Sequence, residues 1–212
     1  ILNVSLPMLL TNSSVLILSW MDTLILGIFR TEGEIGIYNV AMKVSILTGI
    51  TMYAIFSITA PKFAGLYGLG DTKELKRVFQ ISTKTVFWTS LPVLLIIFLI
   101  PSFILGIFGS AFKAGVFALL ILSSGYFISA ITSSASWLLE MTGRQNITMI
   151  IMLMATVLNI ILNICLVPEY GVNGAALATM VSLSLASLAM VIYTYKSFGL
   201  TAIYWPFMNK DA

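Results

Sequence analysis

An all-α, polytopic membrane protein with six transmembrane helices is the fold this sequence predicts. Three observations carry that reading. Apolar residues make up 59% of the 212-residue chain and charged residues only 9%, where soluble domains run near ~25% charged. Mean hydropathy is +1.03, and a soluble fold of this size still exposes much of its area, so this apolar surface needs lipid as its solvent. The apolar runs are continuous and close to the ~20 residues that cross hydrocarbon, which sets them apart from the short alternating strands of a membrane β-barrel.

The chain begins at Ile1 with no methionine and no basic stretch. Its first apolar run has no small-residue cleavage site after it, so it reads as a membrane helix rather than a signal peptide. The chain reads as the C-terminal part of a longer protein.

Segment one covers 2–28 and segment two covers 35–60, with a polar turn from Arg30 to Glu34 between them. Segment three is 78–100, segment four 111–139, segment five 146–167 and segment six 172–195. The longer ones imply tilt or ends in the interface. Pro61 is expected to end segment two, and Pro101 closes segment three. Asp71 followed by Glu74 reads as a capping box. A helix should therefore start ahead of the membrane and carry Lys73, Lys76 and Arg77 at the surface. Gly143 breaks the chain after segment four, and Pro168 with Gly171 breaks it after segment five. Pro7 and Pro92 fall inside apolar helices, where each removes a backbone bond and produces either a static kink or a flex point.

Orientation follows from the basic residues. With a cytoplasmic N-terminus, Lys62, Lys73, Lys76, Arg77, Arg144, Lys196 and Lys210 lie inside, with Lys84 near that face. Arg30 and Lys113 lie outside. That asymmetry predicts cytoplasmic termini, with head-group attraction a secondary role for the basic loop.

The chain has no histidine and one cysteine, Cys165. A disulfide framework and any histidine-dependent metal site or triad within this chain are excluded. Cys165, in the apolar run NICLVP, reads as inert packing. No catalytic residue, metal site, cofactor or nucleic-acid partner is expected. Enzymatic chemistry needs convergent acids and bases, and the acids away from the loops, Asp22 and Glu140, lie far apart in depth.

Intramembrane charges are costly and therefore candidates for function. Asp22 and Lys43 lie at similar depths on consecutive antiparallel segments. They read as a structural ion pair, or as a Lys43 that meets a substrate phosphate beside an Asp22 that releases it or binds a coupling cation. A snorkelling Lys43 is the third reading. Ser5, Asn12 and Ser19 share one face of segment one near Asp22. Asn39 and Lys43 are i, i+4 on segment two, and Tyr53 and Ser57 repeat that face. Thr156, Asn159 and Asn163 line segment five, as helix-to-helix glue or as a polar cavity wall. Gly174, Ala178, Ser182 and Ala186 form a small-residue packing seam on segment six. The hydroxyls Ser129, Thr132, Ser133, Ser134 and Ser136 on segment four can bond back to their own helix. Trp20, Trp88, Trp137 and Trp205 read as an interfacial belt.

Several stretches occur in an order that resembles a known family. They are LP at 6–7, MDTLILG at 21–27, EIGIYNVA at 34–41, PKFAGLY at 61–67, GD at 70–71 and FG at 108–109. The asparagines 159 and 163 then lead into LVPEYGVNGAA at 166–176. The set resembles the C-terminal half of the polysaccharide transporter branch of the multidrug/oligosaccharidyl-lipid/polysaccharide exporter superfamily, the branch of O-antigen flippases. The resemblance implies one six-helix lobe of a two-lobe transporter. Such a lobe would flip lipid-linked oligosaccharide across a bacterial cytoplasmic membrane by alternating access. Its implied partners are that lipid, the membrane lipids, and a missing N-terminal lobe or second protomer. A cation-coupled multidrug exporter and a structural membrane subunit are the alternatives. The implied cavity residues are Lys43, Asp22, Asn39, Asn12, Asn159 and Asn163.

Overall fold

A computed structural model describes residues 2–202 and 204, without the side chains of 2–6, 8, 12, 15 and 19. Among the described residues every regular element is helical. They are α1 (Leu2–Phe29), α2 (Glu32–Ile46), a 3₁₀ turn (Leu47–Gly49), α3 (Ile50–Gly68), α4 (Thr72–Leu99), α5 (Pro101–Gly106), a second 3₁₀ turn (Ser110–Gly115), α6 (Val116–Met141) and α7 (Gln145–Phe198).

The spans follow from apolar length. Among the described residues five helical stretches are long and apolar enough to cross a membrane: Leu9–Phe29, Glu32–Gly68, Thr72–Leu99, Ser110–Met141 and Gln145–Phe198. The last has 54 residues, roughly 80 Å at ~1.5 Å per residue and far more than one crossing needs. Gly171 breaks it, with φ 56° and ψ −129°. Only glycine adopts that backbone without strain. The result is a hairpin of two legs, 145–170 and 172–198, and six crossings in all. At the bend the legs come so close that a Cβ on Gly174 would stand 2.4 Å from the Leu166 carbonyl oxygen.

Several joints fall where expected and several do not. Gly143, at φ +79°, separates α6 from α7, and Pro101 opens α5 immediately after α4 ends. Asp71 caps α4 by accepting from the Glu74 N–H at 3.0 Å, and Lys73, Lys76 and Arg77 are exposed. Pro7 and Pro92 lie inside helices, as expected. Pro61 does not end its helix, which runs on to Gly68. A proline forgoes one backbone bond, and the surrounding turns outweigh that loss. Pro168 also stays within the helix, and the break falls at Gly171. Thr31 and Glu34 form a full reciprocal capping box at the start of α2, in the stretch read only as a polar turn.

α6 stands at the centre and packs against α2, α3, α4, α5 and α7, while α1 lies along α7. One core gathers Phe56, Phe63, Phe79 and Leu138 from α3, α4 and α6. The other gathers Leu26, Tyr38, Leu105, Leu119 and Val167. Gly125 of α6 lets α7 approach, since a Cβ there would lie 2.9 Å from the Met180 Cα. The seam of Gly174, Ala178, Ser182 and Ala186 is buried. Thr132, Ser133 and Ser136 of α6 bond back to their own helix, on the Ile128, Ala130 and Ser133 carbonyls. Ser134 instead takes a hydrogen bond from Thr83 of α4.

Three side chains correct the sequence reading. Trp137 stacks on Phe56 at 5.4 Å as part of the core. Trp88 lies well inside α4 rather than at an end. Cys165 is exposed rather than packed inside. Trp205 and Lys210 lie outside the described residues.

Candidate functional site

The capping box at Thr31 and Glu34 fixes where α2 starts relative to α1. Asp22 lies two turns before the end of α1, and Tyr38 lies two turns into α2. Both therefore stand ~10 Å below the turn that joins the helices. The Tyr38 hydroxyl donates to Asp22 Oδ2 at 2.5 Å. Both residues are fully buried.

The α7 hairpin supplies the other donors. Asn159 and Asn163 sit one turn apart on the first leg and so share a face. Asn163 Nδ2 donates to Asp22 Oδ1 at 2.7 Å, and Asn159 Nδ2 donates to the same oxygen at 3.3 Å. Thr179, on the second leg, donates to Asp22 Oδ2 at 2.5 Å. Two further bonds lock the amides in this orientation. Asn159 Nδ2 reaches Thr179 Oγ1 at 3.2 Å, and Asn163 Nδ2 reaches the Asn159 carbonyl at 2.9 Å. An ionised carboxylate only accepts, and here four donors from three other helical legs converge on one. Without them a charge at this depth would cost several kcal/mol. The amide oxygens of Asn159 and Asn163 have no hydrogen-bond partner. With one carboxylate present, this oxygen set suits a proton or a monovalent cation. Among the described residues no cluster of three or more His, Cys, Asp or Glu side chains exists to hold a metal ion.

The structure therefore unites Asp22, Asn159 and Asn163 but leaves out Lys43. The pairing expected between Asp22 and Lys43 is not made. Among the described residues the ion pairs are Arg30 with Glu34 at 4.0 Å and Arg77 with Glu74 at 3.5 Å. The reason is helical phase. Lys43 is five residues past Tyr38, ~140° around the helix and roughly 7 Å deeper. Once Tyr38 faces Asp22, Lys43 faces away, and it is exposed. Asn39 is half-buried and accepts from Thr23 Oγ1 at 3.2 Å. Tyr53 and Ser57 are exposed. The side chains of Ser5, Asn12 and Ser19 lie outside the described residues.

Three residues of this region escaped sequence reasoning. Tyr38 entered only as a letter of the EIGIYNVA stretch, and Thr179 lay unremarked in a small-residue run. The available signal was the pair of intramembrane asparagines, which needed partners. The third is Arg30, which reaches across to the hairpin bend. Its Nη2 donates to the Pro168 carbonyl at 2.8 Å, and its Nε and Nη2 donate to the Val167 carbonyl at 3.2 and 3.1 Å. These carbonyls lose their helical partners at the Gly171 break, so Arg30 caps the first leg from the α1–α2 turn. A cavity of about 250 Å³ beside it is lined by Arg30, Glu34, Glu169, Tyr170 and Asn173.

Comparison with known proteins adds the family. The sequence model of the MatE family matches residues 7–165. Among curated proteins, the chain is 26% identical over 191 residues to the "Probable low-salt glycan biosynthesis flippase Agl15" of Haloferax volcanii, covering 85% of this chain and 40% of that protein. It is 30% identical over 176 residues to the "Probable flippase AglR" of the same organism, covering 82% of this chain and 37% of that protein. The chain thus spans about 40% of the length of these curated relatives. A MATE protein crystallised in a bent conformation superposes with a TM-score of 0.85 at 16% identity, covering 93% of this chain and 45% of that one. That likeness establishes the fold of one lobe.

Proposed function

The chain belongs to the MatE family, and on that premise we propose that it is one lobe of a flippase for lipid-linked oligosaccharide. It would work by alternating access against a second lobe, supplied by an N-terminal half or another protomer. The names of the two Haloferax volcanii relatives support a flippase reading, and their length leaves room for a second lobe. We propose further that it belongs to the O-antigen branch and works in a bacterial cytoplasmic membrane; the curated relatives named above are archaeal. The chain itself acts as a carrier and not as an enzyme.

The observation that carries the substrate assignment is the exposed, unpaired Lys43. It lies ~16 Å along the helical stretch that begins at Glu32, which is hydrocarbon depth. A lysine facing lipid there would cost ~2.5–3.5 kcal/mol. A polar cavity completed by the second lobe removes that cost and offers the ammonium to a phosphate head group. Asn39, one turn away, shares its face. Asp22 does not serve the substrate directly. Its donor cage is closed, and its role in this reading is to take up and release the coupling proton or monovalent cation.

The test is reconstitution of the complete two-lobe transporter in vesicles with a fluorescent lipid-linked oligosaccharide. Lys43→Ala should lose most flipping while inserting normally, and Lys43→Arg should retain part of it, since charge matters more than the shape of the donor. Normal flipping by Lys43→Ala would remove the phosphate role. The buried carboxylate equally suits a cation-coupled drug exporter. Efflux of a cationic dye without any lipid flipping would select that reading.

A further inference from the structure

Buried polar atoms that lack partners are concentrated in one place. Among the described residues there are ten such side-chain atoms, and eight belong to Arg144 or to the α7 hairpin that it caps. The two outliers are Thr48 and Ser123. In hydrocarbon an unsatisfied polar group costs several kcal/mol, so seven on one hairpin need an explanation.

Hydroxyls in apolar helices usually satisfy themselves on a carbonyl one turn back. Thr11, Ser14 and Thr156 do so in this chain. Thr148, Ser182 and Thr194 do not, although all three are buried. Gln145 also leaves its amide oxygen unpaired.

The register of the hairpin places these groups together. Gly174 meets Leu166, Thr179 meets Asn159, and Phe198 lies under Arg144 at 4.2 Å. In that register Thr194 is opposite Gln145 and Thr148, near the loop at Gly143. Ser182 is opposite Asn159, beside Asp22. In the same register Met190 is opposite Met152, between these two groups, and both are buried in one cluster. α1 forms a third wall, where the Ser14 carbonyl accepts from Thr156 at 3.4 Å.

We infer that the buried face of the α7 hairpin is a hydrated seam that carries water and protons between Asp22 and the loop at Gly143. Gln145, Thr148 and Thr194 form its entrance. Asn159, Asn163 and Ser182 form its inner basin. A buried water typically makes ~3 hydrogen bonds, and each basin offers that many unpaired groups. Met152 and Met190 form the constriction, and flexible thioethers can move aside for a single file of water. The inference rests on the coupling role proposed for Asp22, because it supplies the route by which that carboxylate exchanges its proton.

Hydration can be read separately from transport. In the complete transporter carrying Cys165→Ser, single cysteines replace Thr148, Thr194, Ser182 and, as a dry reference, Leu138. Silver ion is the probe, since it passes where water passes and reacts with thiols. The three seam positions should react at least ~10-fold faster than the Leu138 position, because thiol reactivity follows access to water. A second measurement uses the unsubstituted protein. Hydroxyl radicals generated from water by X-rays should convert Met152 and Met190, although both are buried, to sulfoxide faster than Met52, which is partly exposed at the edge of the same cluster. Unreactive Thr148 and Thr194 positions would remove the entrance, and unoxidised Met152 and Met190 would remove the link. Either result overturns the seam. Undiminished transport by Asp22→Asn would instead overturn the coupling role and leave both hydration readouts as they are.

Discussion

Replacing Asn163 by leucine removes one donor from the Asp22 carboxylate and leaves three. The lost contacts are the 2.7 Å bond to Asp22 Oδ1 and the 2.9 Å bond to the Asn159 carbonyl. A hydrogen bond to a charged group is worth ~1.5–3 kcal/mol in soluble proteins. Polar contacts between membrane helices average ~0.6 and reach ~1.7 kcal/mol, because the separated helices also find partners. The expected loss for Asn163→Leu is therefore about 1–2 kcal/mol. Asp22→Asn should be milder than Asp22→Leu. An amide at position 22 keeps an oxygen for Tyr38 and Thr179, and its NH₂ can meet the amide oxygens of Asn159 and Asn163, which lack partners. Leucine would leave the Tyr38 and Thr179 hydroxyls unmet and would leave Asn159 and Asn163 only their bonds to Thr179 and the Asn159 carbonyl. Once the charge is gone, Asn163→Leu should cost less, giving a coupling of ~1 kcal/mol in a double-mutant cycle. The same cycle between Asp22→Asn and Lys43→Ala should be additive within ~0.5 kcal/mol, because the two side chains face different ways. The assay is unfolding in mixed micelles against the detergent fraction. A coupling between Asp22 and Lys43 larger than that between Asp22 and Asn163 would refute the geometry and restore the ion pair.

Three further outcomes follow from the fold. Gly174→Ala should destabilise by ~1–3 kcal/mol or abolish folding, because its Cβ would stand 2.4 Å from a backbone oxygen. Gly65→Ala, with nothing within 4 Å, should be neutral in the same unfolding assay. Arg30→Ala should lower stability by ~2–3 kcal/mol by freeing the Val167 and Pro168 carbonyls, and Arg30→Lys should recover only part of it, because an ammonium lacks the fork that reaches both. Limited proteolysis at the 168–173 bend should rise in step. With Cys165 replaced by serine, a cysteine at Thr31 should label from outside intact cells and one at Thr72 should not; both positions are exposed. The reverse pattern would invert the orientation read from the basic residues.

Six crossings, their approximate limits and the breaks at Gly143 and Gly171 were legible in the sequence alone. The physical reason is that hydrocarbon thickness and the conformational freedom of glycine act locally, on residues near one another in the chain. The intramembrane asparagines and Asp22 also stood out, because polar groups in apolar runs are conspicuous whatever their partners. Only the tertiary structure decided who those partners are. Asp22 is 16 residues from Tyr38, 141 from Asn163 and 157 from Thr179. No local rule links such distances. In a soluble helix the polar face announces which way it turns, whereas a membrane helix is apolar nearly all round and its rotation stays open. Depth along the helix made Lys43 look like the partner of Asp22. The rotation that buried Tyr38 against Asp22 turned Lys43 outward, and Ala41, Val44 and Ser45, buried along α2 with Tyr38, hold that rotation.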